Sequence, residues 1–412
     1  MIIQNAHIEN AKETTDFRIE GGRIVEMAAH LPVKGEEVLD LQGKLVLPPF
    51  VDSHIHLDST LTAGQPEWNE SGTLFDGIRI WSERKKSLSI ADVKERAIQT
   101  LKKQASHGVQ FVRSHVDVTD PSLTALKALL EVREEVKDFM DLQLIAFPQE
   151  GILSFPNGKE LMEKAVLMGV DGVGGIPHYE FNRQYGDDSI DFLVDLAKRY
   201  DRLVDVHCDE IDDPNSRHLE VLTTLAYESG LKNKVTASHT VSLGSVNDAY
   251  AYKLMRVLKM ADINMVANPL VNMHLGGRFD TYPKRRGMTR VKELLENQIN
   301  VSFGEDDVKD PWYPMGDGNM LDSLYVGILS AGLMGYSQIQ SSYQLIGQNG
   351  AKSLHREENY GLAVGKDASF LVFDAENFYD VLNERRTMLY SFRKGVCLIE
   401  NKPMQTFSHL EK

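Results

Sequence analysis

From about residue 46 to residue 350 the chain alternates short apolar runs with longer stretches of helical periodicity, eight times over. Apolar residues recurring every 3.6 positions mark one face of a helix, while short continuous apolar runs suit strands buried on both sides. The strand candidates are Leu45–Val51, Val109–His115, Leu142–Phe147, Gly172–Pro177, Leu203–His207, Val235–His239, Asn264–Asn268 and Asn300–Gly304. The clearest helices are Ile90–Ser106, Leu123–Phe139, Lys159–Met168, Asp188–Tyr200, Ser216–Glu228, Ser245–Leu258, Val291–Glu296 and Asn319–Leu333. Such repetition calls for a parallel sheet, because a parallel neighbour is reached only by a crossover. Eight units suit a closed (β/α)8 TIM-like barrel of the α/β class. An open doubly wound sheet competes, but no G-x-G-x-x-G opens a helix and no G-x-x-x-x-G-K-[ST] is present. Gly172-Val173-Gly174-Gly175 is not followed by a helix start and reads as tight barrel packing.

The two ends of the chain have a different texture. Met1–Ile8, Asp16–Met27 around Gly21-Gly22, and Glu37–Leu47 are short strand candidates, as are Asp367–Asp374 and Met388–Leu398. A few short strands at each end need one another to bury an apolar face. The expected organisation is an N-terminal part of a small β-sandwich over 1–49, the barrel over 50–355, and the C-terminal part of the sandwich over 356–412. Residues 59–82, with Trp68 and Trp81, form a long connection of little clear periodicity. A connection of that kind serves as a lid or binding loop, or packs against a neighbouring subunit.

A formal charge of -15 disfavours a nucleic acid polymer as partner but does not repel a small neutral base. Cys208 and Cys397 are the two cysteines, so neither a disulfide framework nor a Cys-x-x-Cys metal knuckle can be built. The opening MIIQNAHIENAKETTDF has no basic n-region, and no apolar run approaches the roughly 18 residues that span a bilayer. The expectation is a cytoplasmic enzyme with no membrane partner.

Polar residues collect where the strand candidates end, which in a barrel is the catalytic face. His54-x-His56 closes the first strand, and residues i and i+2 of a strand point the same way, so both imidazoles can reach one ion. A chance histidine pair is the bland alternative, and the placement beside Pro48-Pro49, Asp52 and Asp58 speaks for ligation. His207 follows an apolar run and points into the mouth; His239 repeats the arrangement one strand later, as a fourth ligand or, as favoured here, a group beside the attacking water. Asp306 and Asp307 end the last strand and point opposite ways, so Asp306 is assigned to the metal and Asp307 to the substrate or its surroundings. Glu210, three residues past His207, suits an acid/base, with a helix cap as the alternative. Gln149 offers both donor and acceptor to a lactam-like edge. A divalent ion lowers the pKa of water from about 15.7 towards about 7. Nitrogen and oxygen ligands fit Fe2+ or Zn2+ equally.

The stretches PPFVDSHIHLD, TAGQPEWNESGTLF, VRSHVDV, FPQEGILSFPNG, VDVHCDEIDD, ASHT, ANPLVNMHLGGRFDTYPKRRG and FGEDDVKDPWYPMG span nearly the whole barrel. Through them the chain resembles the amidohydrolase superfamily, and within it the bacterial cytosine deaminases. The resemblance implies one divalent ion per subunit, iron or zinc, on His54, His56, His207 and Asp306. It further implies His239 beside the attacking water, Glu210 as proton shuttle to the pyrimidine N3, and Gln149 at the N1–C2 carbonyl edge. Asp307 would lie near the exocyclic amine and Trp312 would shape the pocket, while Asp306 would also take the water proton. It implies a homo-oligomer with exchanged loops, a fit for residues 59–82, and the deamination of cytosine in pyrimidine salvage. Related motifs act on 5-methylcytosine, isocytosine, isoguanine or pterin. One departure is Glu305, where the family pattern places histidine; alternation along the strand turns it away from the pocket. A cyclic-amide hydrolase is the second reading, but its modified lysine has no counterpart in IPHYEF after the fourth strand. A non-catalytic binding barrel is the third, and the full set of acid, base and ligand residues argues against it. His178 and His274 are open between pocket and packing, while His107, His218 and His355 read as surface or packing residues.

Overall fold

The structure is a computed structural model that describes residues 1–9 and 11–403, so residues 404–412 of the expected C-terminal segment lie outside the described residues. Eight parallel strands follow one another around a ring in chain order: Phe50–Ile55, Val109–Asp117, Asp141–Phe147, Gly172–Gly175, Leu203–Cys208, Val235–His239, Asn264–Ala267 and Asn300–Phe303. The last meets the first through a bridge between Ile55 and Asp306, with Asp306 N donating to His54 O at 2.8 Å and His56 N to Asp306 O at 2.9 Å. The (β/α)8 barrel therefore closes at residues the sequence assigns to the site. The strands are buried nearly throughout, as expected of a sheet covered by helices on one side and filled by side chains on the other.

The strand assigned to Leu45–Val51 is in fact divided. Leu45–Leu47 joins the terminal sheet, and the first barrel strand is Phe50–Ile55. Pro48 and Pro49 lie at the break, where no backbone N–H can continue a ladder. The Gly172–Gly175 strand does approach its neighbours closely: a Cβ at Gly172 would stand 2.6 Å from Ile145 Cδ1, and one at Gly174 2.7 Å from Asp205 O. The helices Ile90–Ser106 and Val291–Glu296 have the expected bounds. The connection after the first strand holds an unexpected helix, Leu74–Arg84, whose Thr73 side chain caps Asp76 N.

Strands from the two chain ends pair with each other, Leu371 facing Leu47 in antiparallel register. The pairing runs Val396–Glu400, Met388–Arg393, Phe370–Phe373, Leu45–Leu47, Ile2–Ile8, Thr15–Glu20, Arg23–Ala28, with Val38–Asp40 off this path. Ile2–Ile8 pairs Val38–Asp40 through its first half and Leu45–Leu47 through its last, changing partners near Asn5, whose φ is 53°. Irregularities of this kind let one strand serve two sets of partners. Side chains from both sets share one apolar cluster, in which Phe370 meets Phe17 edge-on at 5.2 Å and stacks on Phe392 at 4.7 Å.

Candidate active site

Parallel strands deliver their ends to one rim of the barrel, and the sequence loads those ends with polar groups. His54 and His56 leave the first strand, His207 the fifth, His239 the sixth and Asp306 the eighth. His56 Nε2 lies 3.0 Å from His207 Nε2, and Asp306 Oδ1 lies 3.4 Å from His54 Nε2 and 3.6 Å from His56 Nε2. The His54 and His207 ring centres are 4.6 Å apart. All of these side chains are buried. His239 (φ 67°) and Asp306 (φ 72°) adopt left-handed backbone, a strained conformation at which the chain turns off the strand and re-aims the side chain.

Burial, reinforced by the neighbouring imidazoles, holds His54, His56 and His207 well below the ordinary histidine range. They are neutral and keep a lone pair each. His239 differs: burial acts to lower it, but Glu210 and Asp306 outweigh that and raise it. Its Nδ1 lies 3.1 Å from Glu210 Oε1 and 3.7 Å from Asp306 Oδ2. Burial also pushes Asp306 and Asp307 well above the usual carboxylate range.

His54 Nε2, His207 Nδ1 and Asp306 Oδ2 are buried without a hydrogen-bond partner. Donor atoms of His54, His56 and Asp306 lie within 4.8 Å of one another, as do those of His54, His207 and His239, and those of Glu210, His239 and Asp306. Neutral imidazoles and a carboxylate with unspent lone pairs are the donor set a divalent cation takes, so these residues fit one.

Above the cluster lies a small cavity lined by His56, His207, His239, Glu210, Asp306, Asp307, Gln149, Trp312, Leu74 and Leu275. Every sequence-assigned site residue lines it except His54, which stands next to His56, His207 and His239 with ring-centre separations of 5.3, 4.6 and 4.8 Å. The cavity adjoins a wider vestibule of about 350 Å³, with Glu210, Leu74 and Leu275 common to both. Glu305 points the other way. It is buried and accepts from Ser323 Oγ at 2.7 Å and Gly318 N at 3.2 Å.

Several supporting residues escaped the sequence reading. Asp209, not Glu210, caps the helix His218–Ser229, accepting from Leu219 N at 2.8 Å and His218 Nδ1 at 2.8 Å. That leaves Glu210 free to face the cavity, and gives the buried His218 a structural task. Asn272, on the short helix Pro269–Leu275, lies with its Nδ2 2.9 Å from His239 Nδ1 and 3.4 Å from Glu210 Oε1. Proline at the first helical position was the available signal. On the second strand, Asp117 Oδ2 accepts from Trp81 Nε1 at 2.9 Å, while its Oδ1 accepts from Gln149 N at 3.4 Å. Trp81 thus ties the covering helix to the loop that carries Gln149, whereas Trp68 is exposed. His178 is half-buried off the cavity with both ring nitrogens shielded, and desolvation lowers it to about 4. His274 accepts from Arg278 Nη2 at 2.9 Å.

Residues 37–388 match the Amidohydrolase family. The chain belongs to that family. It is a metal-dependent hydrolase of carbon–nitrogen bonds. A crystal structure of 5-methylcytosine deaminase from Klebsiella pneumoniae, liganded with 5-fluorocytosine, is 49% identical to this amidohydrolase, covers 99% of each chain and superposes with a TM-score of 0.97. The N-isopropylammelide isopropyl amidohydrolase of Pseudomonas sp. (strain ADP) is 29% identical over 98% of each chain. The pterin deaminase of Rhizobium rhizogenes (strain K84) is 27% identical over 88% of this chain and 83% of that protein.

Proposed function

We propose that this amidohydrolase deaminates a free base of the cytosine class, converting cytosine to uracil and ammonia, with 5-methylcytosine turned over at least as well. The carrying observation is one small cavity in which Gln149, Glu210 and Asp307 converge above the imidazole cluster. A six-membered ring with an amide edge, a basic ring nitrogen and an exocyclic amine meets one group at each of those positions. The 49% identity to a 5-methylcytosine deaminase supports this base class over the purines and pterins.

In this reading His54, His56, His207 and Asp306 hold one divalent ion, Fe2+ or Zn2+. When bound, the ion supplies Lewis acidity that makes water acidic enough to attack near neutral pH. Gln149 grips the N1–C2 carbonyl edge, and Trp312 and Leu74 shape the apolar walls. As water adds to C4, Asp306 accepts its proton and the protonated Glu210 gives one to N3. His239 stabilises the developing charge. Asp306 then hands its proton to the amine, the C4–N bond breaks, and ammonia leaves. The C4 hydroxyl proton returns to Glu210, so both carboxyl groups end as they began.

The proposed division of the chain at 49/50 and 355/356 follows the two sheets. Among the described residues no helix is long and apolar enough to cross a membrane. Cytoplasmic residence and a homo-oligomer belong to the same proposal. Ammonia release from cytosine, 5-methylcytosine, isocytosine, isoguanine and pterin, with iron-loaded and zinc-loaded protein, tests it. Turnover of isoguanine or pterin with negligible activity on both cytosines overturns the substrate class.

A further inference from the structure

Beneath the rim, inside the barrel, lies a buried polar chain that ends on His54 and whose other members, Arg113, Asp205 and Ser238, have no part in the proposed reaction. Arg113, on the second strand, is wholly buried, and its Nη1 donates to Asp205 Oδ2 at 2.8 Å. Its other donors are also engaged, with Gln143 Oε1 at 2.6 Å and Ser353 O at 2.5 Å. Asp205, on the fifth strand, accepts from Ser238 Oγ at 2.6 Å through its second oxygen. Ser238, on the sixth strand, lies 3.0 Å from His54 Nδ1. All four groups are shielded from solvent, and four barrel strands hold them, the first paired with the second and the fifth with the sixth.

Counting protons along this chain gives it a direction. A hydroxyl has one hydrogen, and an ionised carboxylate only accepts. The Ser238 hydroxyl donates its one hydrogen to Asp205 Oδ1 at 2.6 Å. Ser238 is then left as an acceptor towards His54, and Nδ1 of His54 must carry the ring proton. Its Nε2 keeps the lone pair, and Nε2 is the nitrogen that faces Asp306 at 3.4 Å without a hydrogen-bond partner. The His115 ring, stacked on His54 with centres 3.9 Å apart, fixes the ring plane.

We propose that Ser238 and Asp205, anchored by Arg113, are positioning residues that fix the tautomer and orientation of His54, so that its Nε2 lone pair faces the cation position. The proposal rests on the reading of His54 as a ligand. Partners of this kind behind a ligating imidazole change metal affinity by about 10- to 100-fold. Asp205→Asn is the sharpest probe, because an amide nitrogen can donate to Ser238. The hydroxyl then turns its hydrogen towards Nδ1, and the ring proton moves to Nε2, the wrong nitrogen for a ligand. Ser238→Ala removes the relay while leaving the Arg113–Asp205 pair intact, and it decides the matter if Asp205→Asn does not fold.

The experiment has two readouts on the folded proteins: zinc affinity by competition with a chromophoric chelator, and the ring 15N shifts of His54 in the metal-free protein. The expected result is an Nδ1-protonated His54 in the parent. Zinc affinity falls about 10- to 100-fold in Ser238→Ala and Asp205→Asn. Asp205→Asn shifts the 15N pattern towards Nε2 protonation. A merely structural role lowers the melting temperature and moves neither readout, and that result overturns the proposal. His54→Ala is the control for its premise. If His54→Ala binds zinc as tightly as the parent, the ligand reading fails and takes this proposal with it. If His54→Ala loses zinc while Ser238→Ala and Asp205→Asn do not, the positioning role alone is refuted.

Discussion

At the barrel rim His54, His207, Asp306 and Asp307 are buried with one polar atom each lacking a hydrogen-bond partner, whereas the core of the terminal sheet is a closed apolar cluster that includes Phe17, Ile24, Phe370 and Phe392. A buried polar group left unpaired costs about 1–3 kcal/mol. The rim accumulates several such groups, and it survives because the barrel beneath it and the sheet beside it bury apolar surface in excess. Rim residues are held where chemistry needs them, at the expense of stability. Sheet residues are held where packing needs them, and they face no ligand. The difference makes a forecast: substitutions in the two regions should separate activity from stability in opposite directions.

The largest effect should come from Glu210→Gln. The amide keeps the shape and removes the proton carrier, so deamination should fall by about 10²- to 10⁴-fold, as general acid–base catalysis warrants. The urea midpoint should barely move, because the Glu210 contacts with His239 and Asn272 retain an oxygen acceptor. A large loss of stability together with activity would blur the contrast. Phe370→Ala should do the reverse. The ring is fully buried between Phe17 and Phe392, and its removal should cost about 3–5 kcal/mol in urea unfolding. The fraction that remains folded should keep its kcat/KM. If kcat/KM falls with it, the sheet takes part in shaping the site and the separation fails.

The two regions were also unequally legible in the sequence. The barrel strands were readable because each is a short buried run, and seven of them begin within one residue of the expected start. The site was readable because His54, His56, His207, His239 and Asp306 each stand at the end of such a run. The supporting shell was not. The stripe Leu74, Ile78, Trp81 is helical, but it is hidden among the turn residues that precede it. Arg113, His115 and Asp117 share one face of a strand that is buried on both sides, and no polar–apolar alternation tells which face looks inward. The interior chain from Arg113 to His54 joins residues far apart in sequence, so spacing could not reveal it. At the first strand, apolar residues continue across Pro48-Pro49, and hydrophobicity alone could not show that two sheets divide there.

Gly77 tests where the rim ends. The covering helix lies so close to the cavity that a Cβ at Gly77 would stand 2.3 Å from Trp312 Cδ1. Gly77→Ala should push the indole or the helix aside at a strain of about 1–3 kcal/mol. Trp312 lines the cavity, so the change should appear as a raised KM more than as a lowered kcat. A pure stability loss with unchanged KM would place the helix outside the functional region.

The smallest effect should arise in the terminal region, from pH. Glu9 is half-buried and accepts from Phe378 N at 3.1 Å, and burial outweighs that bond to push it up to about 7. An acid whose folded value is raised is uncharged in both states below about 4.3, the ordinary glutamate value, and carries no penalty there. As pH rises towards and through 7 the unfolded chain releases its proton first, and the folded state loses ground. Water screens a group this exposed, so the loss should stay under about 1 kcal/mol. Glu9→Gln removes the titration and keeps an oxygen for Phe378 N. Its stability relative to the parent should therefore grow between pH 5 and pH 8, by about the same small amount, in paired urea titrations. The opposite trend would mean that the carboxylate is stabilised in place, and that the terminal region, like the rim, holds charge for a reason other than packing.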